Sequence, residues 1–221
     1  MSDEAGRVDI HYVLDKLYYS HDNPRDKGTG FERFIKSFLV TEPLYAGRFE
    51  QVWMWSDWPE RGTRPDHGID LVARERDTGD LVAVQCKFFS PEAALPKGEI
   101  DSFLAESGKH PFRSRLLVTT AGRLNSAAEA AIENQQIPVN VIGLEDLVGS
   151  TLDWAQFDPS TPEVLSTLGR KQLRPHQRTA IDAVRAGFTE HDRGQLIMAC
   201  GTGKTFTSLR LAEEVVPPGG R

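Results

Sequence analysis

The sequence predicts an α/β protein: a mixed sheet flanked by helices, followed by the start of a second α/β unit. Three observations carry that prediction. Apolar residues recur at helical spacing in "TGFERFIKSFLV". Three strand-like segments, "RFEQVWMWSDW", "GIDLVARE" and "DLVAVQCKFF", then follow one another, and a helix–strand–helix–strand alternation succeeds them. Near the end, "GQLIMACGTGKTFTSLRLAEEVV" reads as strand, Gly-rich loop and helix.

Each element has its own warrant. Phe31, Phe34, Ile35, Phe38 and Leu39 form one helical stripe, with Thr29 as the expected cap. Phe49, Val52, Trp53, Met54 and Trp55 mark a strand that runs into a Pro/Gly-rich loop. "KGEIDSFLAESGK" is a helix, "SRLLVTTA" a buried strand, and "NSAAEAAIENQQ" a helix with its own cap. "VNVIGL" is the last strand of the sheet and "EDLVG" a short closing helix. A meander followed by right-handed crossovers fits a mixed sheet between helices. From Trp154 the stretch "DWAQFDPSTPEVLSTLGRKQ" is rich in Pro, Ser and Thr and reads as a linker. The expected division is residues 1–153, a linker over 154–171, and a second unit over 172–221.

Composition excludes several classes. The 221 residues are 39% hydrophobic and 26% charged, as in soluble globular domains. No apolar run approaches the roughly 20 residues of a membrane span. The acidic start "MSDEAGRVDI" lacks the layout of a signal peptide, so a cytoplasmic setting is expected. Cys86 and Cys200 stand far apart without Cys or His companions, which fits neither a disulfide framework nor a zinc site. A net charge of −6 argues against non-specific coating of nucleic acid, though not against a local basic patch.

The hairpin "GIDLVARERDTGDLVAVQCKFF" carries the chemistry. Asp70 interrupts an apolar run, and Gln85 and Lys87 interrupt another. Side chains alternate along a strand, so Gln85 and Lys87 share one face while Val84, Cys86 and Phe88 share the other. A two-residue turn at Thr78-Gly79 pairs Asp77 with Asp80 and sets Asp70 opposite Lys87. Three polar groups then converge at one end of the sheet. A carboxylate there suits Mg²⁺, and a neighbouring ammonium stabilises charge developing on a phosphate.

At this point a resemblance enters. Asp70 followed by Gln85-Cys86-Lys87 resembles the PD-(D/E)XK nuclease signature in its Mrr-like form, with Gln in place of the second acid. Pro65-Asp66 precedes Asp70 without adjoining it. Such families often carry a glutamate on the first helix, and "GFERF" supplies Glu32. The resemblance implies a restriction-endonuclease-like fold and a Mg²⁺-dependent DNA endonuclease acting on double-stranded DNA. It implies Asp70 as a metal ligand, the Gln85 side chain or the Cys86 backbone carbonyl completing the shell, Lys87 as the catalytic lysine and Glu32 as an accessory ligand. Products with a 5′-phosphate and a 3′-hydroxyl would follow.

"MACGTGKT" resembles a Walker A loop, with Gly201, Thr202, Gly203, Lys204 and Thr205 cradling phosphates and Met198 standing where its first glycine is usual. "QLRPHQRTAI" is similar to the adenine-reading motif of superfamily 2 helicases, which implies Gln177 on the adenine edge and Arg174 nearby. The second unit is thus expected to be the N-terminal fragment of a RecA-like ATPase lobe. No apolar strand ending in DExx carboxylates follows Thr205, so ATP with Mg²⁺ is expected only in a full-length motor. The combination looks most like Type ISP restriction–modification enzymes and their helicase-like relatives, through "VWMWSDWP", "GIDLVA", "DSFLAES" and "LLVTTAGRL". Translocase, methyltransferase and target-recognition parts would then share one longer polypeptide. Two alternatives stand beside this reading: a catalytically inactive DNA-binding accessory domain, and a helicase whose nucleotide site is primary.

Other residues carry blander expectations. Trp53, Trp55 and Trp58 read as packing aromatics, with a base-stacking wedge as the alternative. Lys97, Lys109, Arg113 and Arg115 read as a solvated rim, with tracking of a DNA backbone as the alternative. His67 reads as a loop residue, Cys86 as core, and Glu99 and Asp101 as acids at a helix start; Cys200 receives no chemistry.

Overall fold

The computed structural model describes residues 8–20, 22–64, 68–167, 173–191, 193–198 and 204–215, with side chains of 204–206 excepted. The chain divides into two units, Met1–Leu168 and Gly169–Arg221.

In the first unit the order is α1 (Ile10–Tyr19), α2 (Pro24–Thr41), α3 (Pro43–Arg48), β1 (Phe49–Met54), β2 (Leu71–Glu75) and β3 (Leu81–Lys87). Then come β4 (Ala94–Leu95), α4 (Asp101–Ser107), β5 (Phe112–Thr119), β6 (Arg123–Leu124), α5 (Ser126–Ile132), β7 (Val139–Ile142) and α6 (Leu144–Val148). The expected series of one helix, three strands and two helix–strand crossovers is present. The main sheet runs β1-β2-β3-β5-β7. Its first three strands are antiparallel, and β3, β5 and β7 are parallel.

Alternation along the strands gives the sheet two buried faces. Leu71, Ala73, Val82, Val84, Leu116 and Val118 pack against α1 and against the Phe31, Phe34, Ile35, Phe38 and Leu39 stripe of α2. Fully burying each such side chain stabilises by roughly 1.5–3 kcal/mol. The other face sends Val72, Leu81 and Ala83 against Phe103 of α4 and against Trp55 and Trp58, while Leu117 meets Ile100 and Ala128. Trp55 and Trp58 are therefore core residues, as their packing expectation held.

Two local differences have physical causes. Helix α2 begins earlier than Thr29, because the Asn23 side chain accepts the Asp26 N–H at 2.9 Å and Pro24 opens the first turn. The stretch from Trp154, expected as a linker, packs on the first unit through residue 167. Trp154 and Phe157 are buried with ring centroids 5.8 and 5.7 Å from that of Phe34. Ser37 Oγ donates to the Glu163 carbonyl at 2.5 Å, and Leu152 bridges Thr167. Glu42, itself buried, accepts from the Thr151 backbone N–H at 2.9 Å and fixes the entry to this segment. Two aromatics outweigh the polar texture around them.

The second unit contains α7 (Pro175–Phe188) and α8 (Lys204–Val215), joined by Arg178–Glu214 and Arg185–Glu214 ion pairs at 2.9 and 3.2 Å. Residues 193–198 form no strand, contrary to expectation. A parallel strand stands only beside a neighbour, and among the described residues of this unit there is none.

Candidate active site

The site is built at the end of β2 and β3. The Asp70 N–H donates to the Val84 carbonyl at 2.9 Å, while Leu71 is the ladder partner of the same Val84. Two residues of one strand thus stand against one of the other, as in a β-bulge, a device that re-aims a side chain. The Asp70 carbonyl accepts the Trp55 N–H at 2.8 Å, and its carboxylate accepts the Cys86 N–H at 2.6 Å. Backbone and carboxylate are both anchored.

This corrects the expected register. Leu71 pairs with Val84, where a Thr78-Gly79 turn required Cys86, a slip of two residues. The loop is residues 76–79: Glu75 N–H bonds the Asp80 carbonyl, and Gly79 N–H bonds the Glu75 carbonyl. Gly79 takes φ +73°, and Thr78 Oγ1 holds both Glu75 Oε2 and Asp80 N–H at 3.2 Å. Those contacts favour the longer loop over a two-residue turn. Asp70 accordingly does not face Lys87.

Lys87 instead pairs with Glu99, Nζ to Oε2 at 3.0 Å, from the turn Lys97–Glu99 that precedes α4. Gln85 is buried near Gly68, and among the described residues its Oε1 has no hydrogen-bond partner. Glu32 of α2 lines one cavity of about 520 Å³ with Asp70, together with Arg25, Thr29, Arg33 and Asp57. Cys86 reports on the whole arrangement. Burial pushes its thiol well above the ordinary range, Asp70 and Glu32 push it further, and Lys87 partly offsets them. The two carboxylates and the ammonium are therefore all near Cys86, whose side chain packs on the α2 face of the core.

Among the described residues no three His, Cys, Asp or Glu side chains stand close enough to hold a metal ion by themselves. The oxygen groups at hand are the Glu32, Asp57 and Asp70 carboxylates in one cavity and, among the described residues, the Gln85 amide oxygen without a donor. That all-oxygen set fits a hard cation that keeps several of its waters.

Three of the four residues of the alternative DNA rim are committed within the protein, and Arg113 is exposed. Lys97 pairs with Asp101 at 2.5 Å and Lys109 with Glu106 at 2.7 Å. Arg115 is buried and donates to Gln135 and to the Ile137 and Leu104 carbonyls. Glu99 is the site residue that sequence reasoning missed as a partner of Lys87. Nothing in the sequence spacing marks it, since β4 and the turn bring it there. In the second unit the Arg174 N–H donates to Gln177 Oε1 at 3.0 Å, and Gln177 is buried at the start of α7. Gly201, Thr202 and Gly203 lie outside the described residues, as do the side chains of Lys204 and Thr205; His67 and Cys200 also lie outside them.

Residues 40–164 match the restriction endonuclease family, and residues 170–219 match the family described as Type III restriction enzyme, res subunit. No curated protein sequence matches the chain. Among solved structures, the chain is similar to the ATP-dependent Type ISP restriction-modification enzyme LlaBIII bound to DNA. The identity is 40% and the TM-score 0.70, covering 91% of this chain and 13% of that one. It also matches the MspJI restriction endonuclease in complex with a 27-mer oligonucleotide, at 19% identity and TM-score 0.39, over 62% of this chain and 29% of that one. A third match is the DNA modification-dependent restriction endonuclease AspBHI, at 16% identity and TM-score 0.41, over 63% and 34%. The last two carry no argument at those scores.

Proposed function

The chain belongs to the restriction endonuclease family, and from that premise we propose that it hydrolyses DNA phosphodiester bonds with Mg²⁺ at the Asp70–Glu32 cavity. The observation that carries this reading is the bulged end of β2, where Asp70 is anchored by the Cys86 N–H and lines one cavity with Glu32. Asp70 and Glu32 would hold the ion, with Gln85 Oε1 or the Cys86 carbonyl as a further donor. The ion would supply polarisation of a phosphoryl oxygen and acidification of water.

The chain's own groups do the rest. The Cys86 N–H fixes one Asp70 oxygen and so orients the carboxylate that lines the cavity. Lys87, held by Glu99, offers an ammonium to the negative charge that grows on a phosphate in the transition state. The Cys86 thiol, its ionisation opposed by burial and two carboxylates, stays protonated and takes no nucleophilic part.

The reading extends to a larger enzyme. The match to residues 170–219 and the 13% of the LlaBIII chain that is spanned support an ATP-dependent nuclease–translocase in which Arg174, Gln177 and residues 201–205 bind ATP. A cytoplasmic setting belongs to the same proposal. Among the described residues, no helix is long and apolar enough to cross a membrane.

The test is nicking of supercoiled plasmid with and without Mg²⁺. Asp70→Asn and Lys87→Ala should each cut the rate by at least two orders of magnitude, and chelation should abolish it. Nicking that survives both substitutions removes the assignment. The second reading, an inactive DNA-binding module, is favoured by the glutamine at position 85, and it predicts a wild-type chain that binds plasmid but never nicks it.

A further inference from the structure

We propose that the open face of α2 is a phosphate-tracking surface, with Arg25, Arg33 and Lys36 holding the DNA backbone on both sides of the bond to be cut. The proposal rests on the nuclease reading for the position of that bond, but the surface itself is argued from charge and geometry.

Helix α2 buries Phe31, Phe34, Ile35, Phe38 and Leu39. Along one edge of that stripe, Arg25, Thr29, Glu32 and Lys36 recur at steps of four, three and four, which is one line along a helix. Arg33 lies beside that line. At 1.5 Å per residue the span from Arg25 to Lys36 is about 16 Å, equal to about five base-pair steps of rise along a duplex axis at about 3.4 Å each. Glu32, the carboxylate that shares a cavity with Asp70, falls between the outer cations.

The surface is a groove rather than a flat helix. The Asp70–Glu32 cavity of about 520 Å³ and a second cavity of about 300 Å³, lined by Arg33, Lys36 and Ser37, share Arg33, Met54 and Asp57. Asp57 and Glu163 also line the second cavity, so a polyanion is drawn to the α2 wall and repelled from theirs.

Charge decides the occupant. Among the described residues, Arg25, Arg33 and Lys36 form no ion pair, whereas Lys97, Lys109 and Arg115 are committed to protein partners. In a chain of net charge −6, three cations without ion pairs stand along one wall of a groove that also holds Glu32, Asp57, Asp70 and Glu163, a pattern that calls for a polyanion bridged to the acids by a cation. A nucleic-acid backbone matches that pattern in charge and spacing.

The experiment measures binding of the whole chain to a short fluorescein-labelled DNA duplex in EDTA, as a function of salt. Each phosphate contact contributes about 0.9 to the slope of log affinity against log salt. The triple variant R25Q/R33Q/K36Q should lower the slope by about 2.7. The control K97Q/K109Q should leave it unchanged. Circular dichroism melting of both variants, matched to wild type, keeps folding out of the comparison; if the triple variant melts early, Arg25→Gln alone, in the first turn, should lower the slope by about 0.9. A slope unchanged in a folded variant, or lowered equally by the control, overturns the proposal. Because no divalent cation is present, the result stands apart from nicking. A lowered slope with plasmid nicking intact in Asp70→Asn would reject the nuclease assignment and keep the surface.

Discussion

Substituting Gly68 by alanine tests the construction of the site's floor. Gly68 has φ +82°, and a Cβ there would lie 2.7 Å from Ser102 Oγ, 3.1 Å from the Phe103 nitrogen and 3.4 Å from Gln85 Nε2. The left-handed conformation costs an alanine roughly 1–2 kcal/mol. Crowding against a backbone nitrogen in a packed site adds about 1–3 kcal/mol. A less free unfolded chain returns about 0.4–1 kcal/mol. The net loss is therefore about 1–4 kcal/mol, and with a urea slope near 2 kcal/mol/M the midpoint should fall by about 0.5–2 M. All four tryptophans lie within Met1–Leu168, so their fluorescence reports this unit alone. Adding Ser102→Ala removes the closest contact at an exposed position and should recover up to about 1 kcal/mol. A Gly68→Ala midpoint equal to wild type would refute both the strain and the position of α4 against β3.

Two further outcomes follow from the geometry. Trp154→Ala should cost about 3–5 kcal/mol in the same urea assay, since a buried indole packs on Phe34; a cost below about 0.5 kcal/mol would return residues 154–167 to a linker. Cys86 sets a pH dependence: its thiol pKa is raised on folding, so its stabilising contribution is full below the unfolded value near about 8.5 and is lost as pH rises toward the folded value. Stability of wild type relative to Cys86→Ala should then decline above that pH by up to about 1.4 kcal/mol per unit, read from urea midpoints, and a flat difference would contradict the burial of the thiol.

What the sequence made legible follows from which signals are local. Helical and strand periodicities are local, and they yielded the order of elements along the chain and the apolar stripe of α2. The face of Gln85 and Lys87 survived the misplaced turn because a slip of two residues preserves a period of two. The slip itself escaped because "DTG" satisfies a short turn on paper, while Thr78 and Gly79 together close a longer one. Asp70 was found because a carboxylate in an apolar run is conspicuous, but its bulge depends on how Val84 divides its carbonyl. The polar stretch from Trp154 misled because composition averages over the residues that matter, and one Trp and one Phe suffice to dock it.

The partner of Lys87 was illegible for a different reason, and it bears on mechanism. A strand fixes where an ammonium begins, not which carboxylate it reaches, and Glu99 arrives only through the turn before α4. The consequence is a division of labour across β3. On the α2 side stand Asp70 and Glu32, negative, with the Cys86 thiol held neutral between them and the core. On the α4 side the ammonium of Lys87 is balanced by Glu99. A phosphate entering beside α2 meets these carboxylates together with Arg25 and Arg33, which line the same cavity, while Lys87 is oriented by Glu99 and not by Asp70. For the proposed hydrolysis the consequence is that Lys87 is held by Glu99 and not by Asp70, since an Asp70–Lys87 pair would neutralise two groups proposed to act apart.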